Sequence, residues 1–259
     1  MNEFERAFRL MDALDERSAE RLEPTPYGPV LVHERLTRVH DLNFLRAEEP
    51  GEASAEQLAA EADRVQGTVP ELEHRRVNLR SEEVARRLEP DFVGLGWEPQ
   101  WFVLMAYGRP PDRTPDAPVR EVDEPALRPL WTTGIRNAPF GKDERVVEQL
   151  IEHRRLVAQA IPTRFFAAEV DGELVAHAEL YSYDGVGQIE NVVTLPEFRR
   201  RGLARAIVQR AVQESTAAGN DLAFLVADAF DWPQKLYEKL GFETVGRYAR
   251  FLKRLPTGA

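Results

Sequence analysis

Apolar residues recur at two different periods along the second half of the chain, and the period switches at glycines and prolines. Residues 119–122 read as a short strand. Asp123-Glu124-Pro125 then opens a helix, with proline at an early position. Residues 142–160 carry Val146, Val147, Leu150, Ile151, Leu156 and Val157 at helical spacing. Residues 164–170 and 173–183 are strand-like runs joined by Asp171-Gly172, which predicts a hairpin. Asp184-Gly185 turns the chain again, and residues 186–195 form the next strand. Residues 202–218 carry an apolar stripe at Leu203, Ala204, Ile207, Val208, Ala211 and Val212, ended by Gly219-Asn220. Residues 221–227 read as a buried strand. A short helix follows over 232–240, with Pro233 in its first turn and Gly241 after it, and the last strand covers 244–254. The order β-α-α-β-β-β-α-β-α-β predicts an α/β fold with a mixed, mostly antiparallel sheet flanked by helices.

The first half carries a fainter version of the same pattern. Leu95-Gly96-Trp97-Glu98 stands 145 residues before Leu240-Gly241-Phe242-Glu243. Each follows a short helix and precedes an apolar run, 101–107 in the first case. Residues 39–46 look like a strand and 53–66 like a helix, so strand-helix-strand-helix-strand is read twice. Between the halves, Arg109-Pro110-Pro111-Asp112-Arg113-Thr114-Pro115-Asp116-Ala117-Pro118 continues neither a helix nor a central strand. The expected division is a domain at 1–110, a linker at 111–118 and a domain at 119–259.

Composition narrows the chemistry. The 259 residues include no cysteine, which excludes disulfides, thiolate nucleophiles and Cys-bound zinc. The five histidines (33, 40, 74, 153 and 177) have no metal-ligand spacing, so no metal is expected and all five are read as structural. No apolar stretch reaches membrane-spanning length, and residues 1–17 lack the apolar core of a signal peptide. A cytoplasmic protein with no membrane partner is expected. Residues 1–130 hold 17 Lys and Arg against 27 Asp and Glu, which accounts for the whole net charge of −10; residues 131–259 hold 17 of each. Such acidity argues against nucleic acid as a partner.

The segment Val192-Val193-Thr194-Leu195-Pro196-Glu197-Phe198-Arg199-Arg200-Arg201-Gly202-Leu203-Ala204-Arg205 carries the strongest chemical signal. A strand is broken by Pro196, and a basic, glycine-containing turn opens a long helix. The first helical turn has N–H groups without intrahelical partners, and its dipole favours an anion. Gly202 and Ala204 let phosphate oxygens approach the backbone. Arg199-x-x-Gly202-x-Ala204 fits the Arg/Gln-x-x-Gly-x-Gly/Ala signature, and Leu236-Tyr237-Glu238-Lys239-Leu240-Gly241-Phe242 follows at the right distance. On these motifs residues 119–254 resemble the GNAT acyltransferase superfamily.

The resemblance implies an N-acetyltransferase that uses acetyl-CoA as acyl donor and a small-molecule or peptide amine as acceptor. Val192, Val193 and Thr194 would hold the pantetheine arm as an added strand. The stretch Arg199, Arg200, Arg201, Gly202, Leu203, Ala204, Arg205 would hold the pyrophosphate. Strands 186–195 and 221–227 would splay to admit the thioester, and a backbone N–H near Val193 would stabilise the oxyanion. Tyr237 would protonate the leaving thiolate. Glu190 is a candidate base, on the expectation that residues 188, 190, 192 and 194 share one strand face; its other reading is a strand carboxylate paired with an arginine. Trp232 packs against the cofactor or serves as a hydrophobic anchor, and Asp228 or Asp231 caps the short helix. Some relatives carry a glutamate near Leu225, and here that position is apolar. The alternative is therefore a non-catalytic acyl-CoA-binding or regulatory module. The first half resembles a degenerate GNAT-like domain in a tandem arrangement. Glu48-Glu49-Pro50-Gly51-Glu52 aligns roughly with the pyrophosphate turn and would repel it, so no CoA site is expected there. Its expected roles are to pack on the catalytic domain, to shape the acceptor site or to form a homodimer.

Overall fold

The computed structural model describes residues 1–114 and 117–256. Pro115 and Asp116, inside the expected linker, lie outside the described residues. The helices are α1 (Glu3–Ser18), α2 (Ala55–Gln66), α3 (Glu82–Gly94), α4 (Glu124–Arg136), α5 (Glu144–Ala160), α6 (Leu203–Ala217) and α7 (Pro233–Lys239). The strands are β1 (Arg21–Glu23), β2 (Val30–Val32), β3 (Phe44–Ala47), β4 (His74–Leu79), β5 (Glu98–Tyr107), β6 (Val119–Val122), β7 (Thr163–Val170), β8 (Glu173–Tyr183), β9 (Val186–Thr194), β10 (Leu222–Asp228) and β11 (Phe242–Arg254).

Two compact units result. One comprises Met1–Leu14, Leu104–Ala227 and Asp231–Val245; the other comprises Asp15–Val103, Asp228–Phe230 and Gly246–Ala259. These bounds differ from the expected division at 110 and 119. The reason lies in the apolar strands that follow Gly96 and Gly241. β5 begins in one unit and ends in the other, and β11 does the same in the opposite sense. A cut at the proline-rich segment assumes that each half keeps its own last strand.

In the unit that holds β6 to β10, the order is β6-β7-β8-β9-β10, all antiparallel neighbours except the parallel pair β9 and β10. A parallel pair needs a crossover, and α6 supplies it. Nine of its residues are buried, from Leu203 to Ser215. It covers one sheet face so closely that a Cβ on Gly187 would lie 2.1 Å from Ser215 Oγ. The other face carries α4 and α5: Trp131, Leu127 and Leu130 pack with Phe165, Ala167 and Leu195. α1 was not read from the sequence, although Phe4, Ala7, Phe8 and Met11 have helical spacing. Arg6 and Arg9 of α1 pair with Asp221 and Asp184.

The other unit repeats the crossover on a smaller scale. β3 and β4 are parallel with α2 between them, and the second half of β11 lies antiparallel to β4 over Ala249 to Arg254. The expected strand at 39–46 is shorter than expected, because a 3-10 turn occupies His40–Leu42. Ser54 caps α2 by accepting from Gln57 N at 3.3 Å, and Gln57 Oε1 accepts from Ser54 N at 2.9 Å. This reciprocal capping box satisfies donors that an uncapped helix leaves open. Glu48 is held by Arg46 and Arg80 at 2.8 and 3.5 Å.

Gly96 and Gly241 both follow a short helix with positive φ, +80° and +98°. A Cβ on Gly241 would lie 1.8 Å from Arg109 O, whereas one on Gly96 would meet nothing within 4 Å. Gly96→Ala is therefore expected to cost only left-handed backbone strain, about 1–2 kcal/mol. Gly241→Ala adds overpacking of about 1–3 kcal/mol. Urea unfolding followed by fluorescence measures both; equal losses would contradict the difference in packing.

Candidate active site

β9 and β10 pair over only three positions, Val186 with Leu222, Gly187 with Ala223 and Gln188 with Phe224. Beyond them the strands part, as a splayed pair requires. The opening is at the C-terminal ends of the two parallel strands. The Asp184-Gly185 turn sits at the paired end, so it does not line the opening. On its other side β9 stays bonded to β8, but with a break in register. Glu179 faces Glu190 and His177 faces Val193, so one extra residue of β9 is accommodated between them. Asn191 in this bulge has φ +53°.

The bulge changes which side chains share a face. Glu190 pairs with Glu179, and Val193 pairs with His177 two residues along the same strand. Gln188, Glu190 and Val193 therefore lie on one face, and Val192 and Thr194 on the other. The expected alternation of 188, 190, 192 and 194 fails because an inserted residue shifts the two-residue period by one. The Glu190 face is the one beneath α4, where a Cβ on Gly134 would lie 3.7 Å from Val193 Cγ1.

Beyond Thr194, a 3-10 turn at Pro196–Phe198 leads into α6. Arg200 has φ +64° and Gly202 φ +82°, two left-handed residues flanking Arg201. Gly202 is the N-cap, no side chain caps the first turn and that turn contains no acidic residue. No heavy atom lies within 4 Å of a Cβ built on Gly202. Arg199, Arg200, Arg201 and Gly202 are exposed, Ala204 is half-buried and Leu203 is buried. Arg199 Nε donates to Thr194 O at 3.2 Å, which ties the turn to the strand end. Arg205 is different: it is buried and ion-paired with Asp112. Its charge is met within the fold, so only its backbone remains for a ligand. Open N–H groups, exposed guanidiniums and free space together suit a polyanion.

Tyr237 lies on α7, 9% exposed, with its ring 6.2 Å from Phe242. Burial, and then the charge of Glu190, push its phenol up to about 12. The hydroxyl is therefore protonated at neutral pH, and Tyr237 and Glu190 occupy one electrostatic neighbourhood. Glu190 is half-buried and accepts from Gln188 Nε2 at 2.7 Å. Leu225 of β10 is buried. Trp232 is 64% exposed at the start of α7. Asp228 Oδ1 accepts from Phe230 N and Asp231 Oδ1 from Trp232 N, in the turn that leads into that helix, whose N-cap residue is Trp232. Among the described residues no group of three or more metal-ligating side chains occurs, and no helix is long and apolar enough to cross a membrane.

Four residues were not singled out from the sequence. Glu179 is fully buried on β8 and ion-paired with Arg154 of α5. Tyr181 donates to Glu179 Oε2 at 2.6 Å, and Asn191 Nδ2 donates to Glu179 Oε2 at 3.0 Å and to the Tyr181 hydroxyl at 3.1 Å. The available signal was a lone carboxylate inside the apolar run Val175-Ala176-His177-Ala178-Glu179-Leu180-Tyr181, since a buried charge demands a partner. His177, also buried, is held well below its usual value by burial and then by Arg154, so its ring is neutral.

Comparison with known proteins gives the lineage. Residues 133–242 match the model of the acetyltransferase (GNAT) family. An acetyltransferase of Pectobacterium atrosepticum is 31% identical over 128 residues, which cover 49% of this chain and 85% of that protein. The fold is that of a GCN5-related N-acetyltransferase from Kribbella flavida, with TM-score 0.63 and 20% identity over 99% of this chain and 96% of that one. A tandem GNAT protein from the clavulanic acid biosynthesis pathway aligns with TM-score 0.53 and 14% identity over 83% of this chain and 76% of that one.

The raised Tyr237 phenol has a consequence for stability. Between about pH 10 and about pH 12 the folded chain keeps a proton that the unfolded chain releases, so stability falls as pH rises through that window. Tyr237→Phe should make that fall shallower. Urea unfolding at pH 9, 10 and 11 measures it, and unchanged slopes would contradict the burial argument.

Proposed function

The chain belongs to the GNAT acetyltransferase family, and from that premise we propose that it moves an acetyl group from acetyl-CoA to an amine. One observation carries this reading. The half of β9 that parts from β10 leads through a short turn into a helix whose N-terminus is uncapped and surrounded by exposed arginines. When bound, acetyl-CoA supplies the acetyl group as a reactive thioester.

Each residue then has a physical role. The backbone N–H groups from Gly202 to Arg205, with the exposed Arg199, Arg200 and Arg201, hold the pyrophosphate. The free edge of β9 at Val192, Val193 and Thr194 takes the pantetheine arm as an added strand. A backbone N–H near Val193, on the side of β9 that faces the opening, stabilises negative charge on the carbonyl oxygen. Tyr237 keeps its proton at neutral pH and holds it for the departing sulfur. Glu190, steadied by Gln188, accepts the proton of the amine directly or through a water. Trp232 offers a flat apolar surface to the cofactor.

The tandem reading is also ours. The strand-helix-strand-helix-strand run occurs in both halves, and the likeness to a tandem GNAT protein supports it. We assign the cofactor to α6 alone, because the corresponding α2 caps its own N-terminus with Ser54 and Gln57. A non-catalytic acyl-CoA-binding module is the second reading, favoured by the buried, apolar Leu225.

Titrating acetyl-CoA by calorimetry should give one site per chain, and Gly202→Glu should abolish it by placing bulk and negative charge in the turn. Two sites, or undiminished affinity in the variant, would overturn the assignment. An amine screen read by thiol release separates catalysis from mere binding. With an acceptor in hand, Tyr237→Phe should slow turnover about 100-fold with little change in cofactor affinity. Unchanged turnover would remove Tyr237 as the acid.

A further inference from the structure

Asn191 occupies the one position of β9 where the backbone must be left-handed, with φ +53°. For a side-chain-bearing residue that conformation costs free energy, least for Asn and Asp and most for β-branched residues. Asparagine therefore tolerates the bulge, but tolerance alone does not hold it. The amide does that. Its nitrogen donates to Glu179 Oε2 at 3.0 Å and lies 3.1 Å from the Tyr181 hydroxyl, which it also contacts as a donor. The Tyr181 hydroxyl in turn donates to Glu179 Oε2 at 2.6 Å. The other oxygen of Glu179 is held by Arg154. Glu179 has no exposed surface and Tyr181 is 3% exposed, so no bulk water competes for these bonds. Tyr181 stays a protonated donor, because burial and then the Glu179 charge raise its phenol well above its usual value.

These bonds link the quartet into one network, and three of its four members lie outside β9. Glu179 and Tyr181 sit on β8, and Arg154 sits on α5. The bulge is thus clamped from the neighbouring strand and the helix above it. What the clamp controls lies next along the chain. The direction of the peptide N–H at Val192 follows from the dihedral angles of Asn191. A bulge that relaxed toward regular pairing would exchange the faces of Val192 and Val193.

We propose that Asn191 is a positioning residue, latched by Glu179, Tyr181 and Arg154, that aims the backbone N–H of Val192 at the thioester carbonyl. The proposal rests on the acetyl-transfer reading above. It assigns the quartet a task beyond stabilising the core: it sets how strongly the carbonyl is polarised, while pyrophosphate binding at α6 is left alone.

The test compares three variants by infrared difference spectroscopy of acetyl-CoA labelled with carbon-13 at the thioester carbonyl, and by calorimetry with acetyl-CoA and with CoA. In the unaltered protein the carbonyl band should move to lower frequency on binding. Asn191→Gly, which adopts positive φ without strain, should keep most of that shift. Asn191→Val, which resists positive φ, should lose it. Tyr181→Phe removes both hydroxyl bonds of the latch and leaves that of Asn191 to Glu179, and covers the case in which the valine variant does not fold. It should shrink the shift and lower the preference for acetyl-CoA over CoA by about fivefold, the worth of one hydrogen bond. Affinity for CoA should stay within about threefold in every folded variant. A full shift in Tyr181→Phe and in folded Asn191→Val would overturn the latch alone. Bound acetyl-CoA with no shift in the unaltered protein would overturn the acetyl-transfer reading and the latch with it.

Discussion

A strand that stops pairing halfway along its length leaves a row of backbone donors and acceptors without a ladder. β9 does so after Gln188, where β10 diverges. Backbone polar groups removed from water without partners are costly, so the open edge is either solvated or filled by a ligand that supplies the missing strand. The same divergence leaves Leu225 and the start of α7 across the opening from Glu190 and Val193. The features of the candidate site in this unit therefore follow from one interruption of one parallel pair. Its cost is limited because β9 keeps its other partner, β8, along most of its length.

Charge is distributed to match. On the phosphate side the arginines at 199, 200 and 201 are exposed and the helix N-terminus carries no acidic residue, so the local field is positive. On the acyl side the ionisable groups are buried and interlocked. Glu179 is neutralised by Arg154, His177 is neutral, and the phenols of Tyr181 and Tyr237 are both held protonated. An exposed basic rim beside a proton-rich interior suits a ligand with a phosphate tail and an uncharged reactive head. The α2 terminus in the other half shows the contrast. Ser54, Gln57 and the nearby ion pair of Glu48 with Arg46 satisfy locally what α6 leaves open.

The two helix ends at Gly96 and Gly241 were visible in the chain, but the division into units was not. Leu95-Gly96 and Leu240-Gly241 mark equivalent helix ends, and both glycines take the left-handed conformation that such ends require. The strands that follow are long, 10 and 13 residues, and each spans the boundary between the units. Strand length is legible in a sequence. Which half of a long strand packs with which core is decided by side chains remote in the chain, such as Phe92 stacking on Phe251 at 4.3 Å.

Local order was determined by the sequence itself, because periodicity, glycine and proline act over a few residues. β7, β8, α6, α7 and the basic turn at Arg199 to Gly202 all lie where those signals put them. α1 was overlooked although its spacing was present, and its docking by Arg6 and Arg9 depends on acids some 175 to 215 residues away. Only the tertiary structure decided the face of Glu190 relative to Val192, since a single inserted residue at Asn191 inverts an alternation that sequence reading must assume unbroken. It also decided that Arg205 belongs to Asp112, and that Glu179 has a counterion in Arg154 on another element. Such pairings obey the rule that buried charge must be matched, but the rule names no partner until the chain has folded.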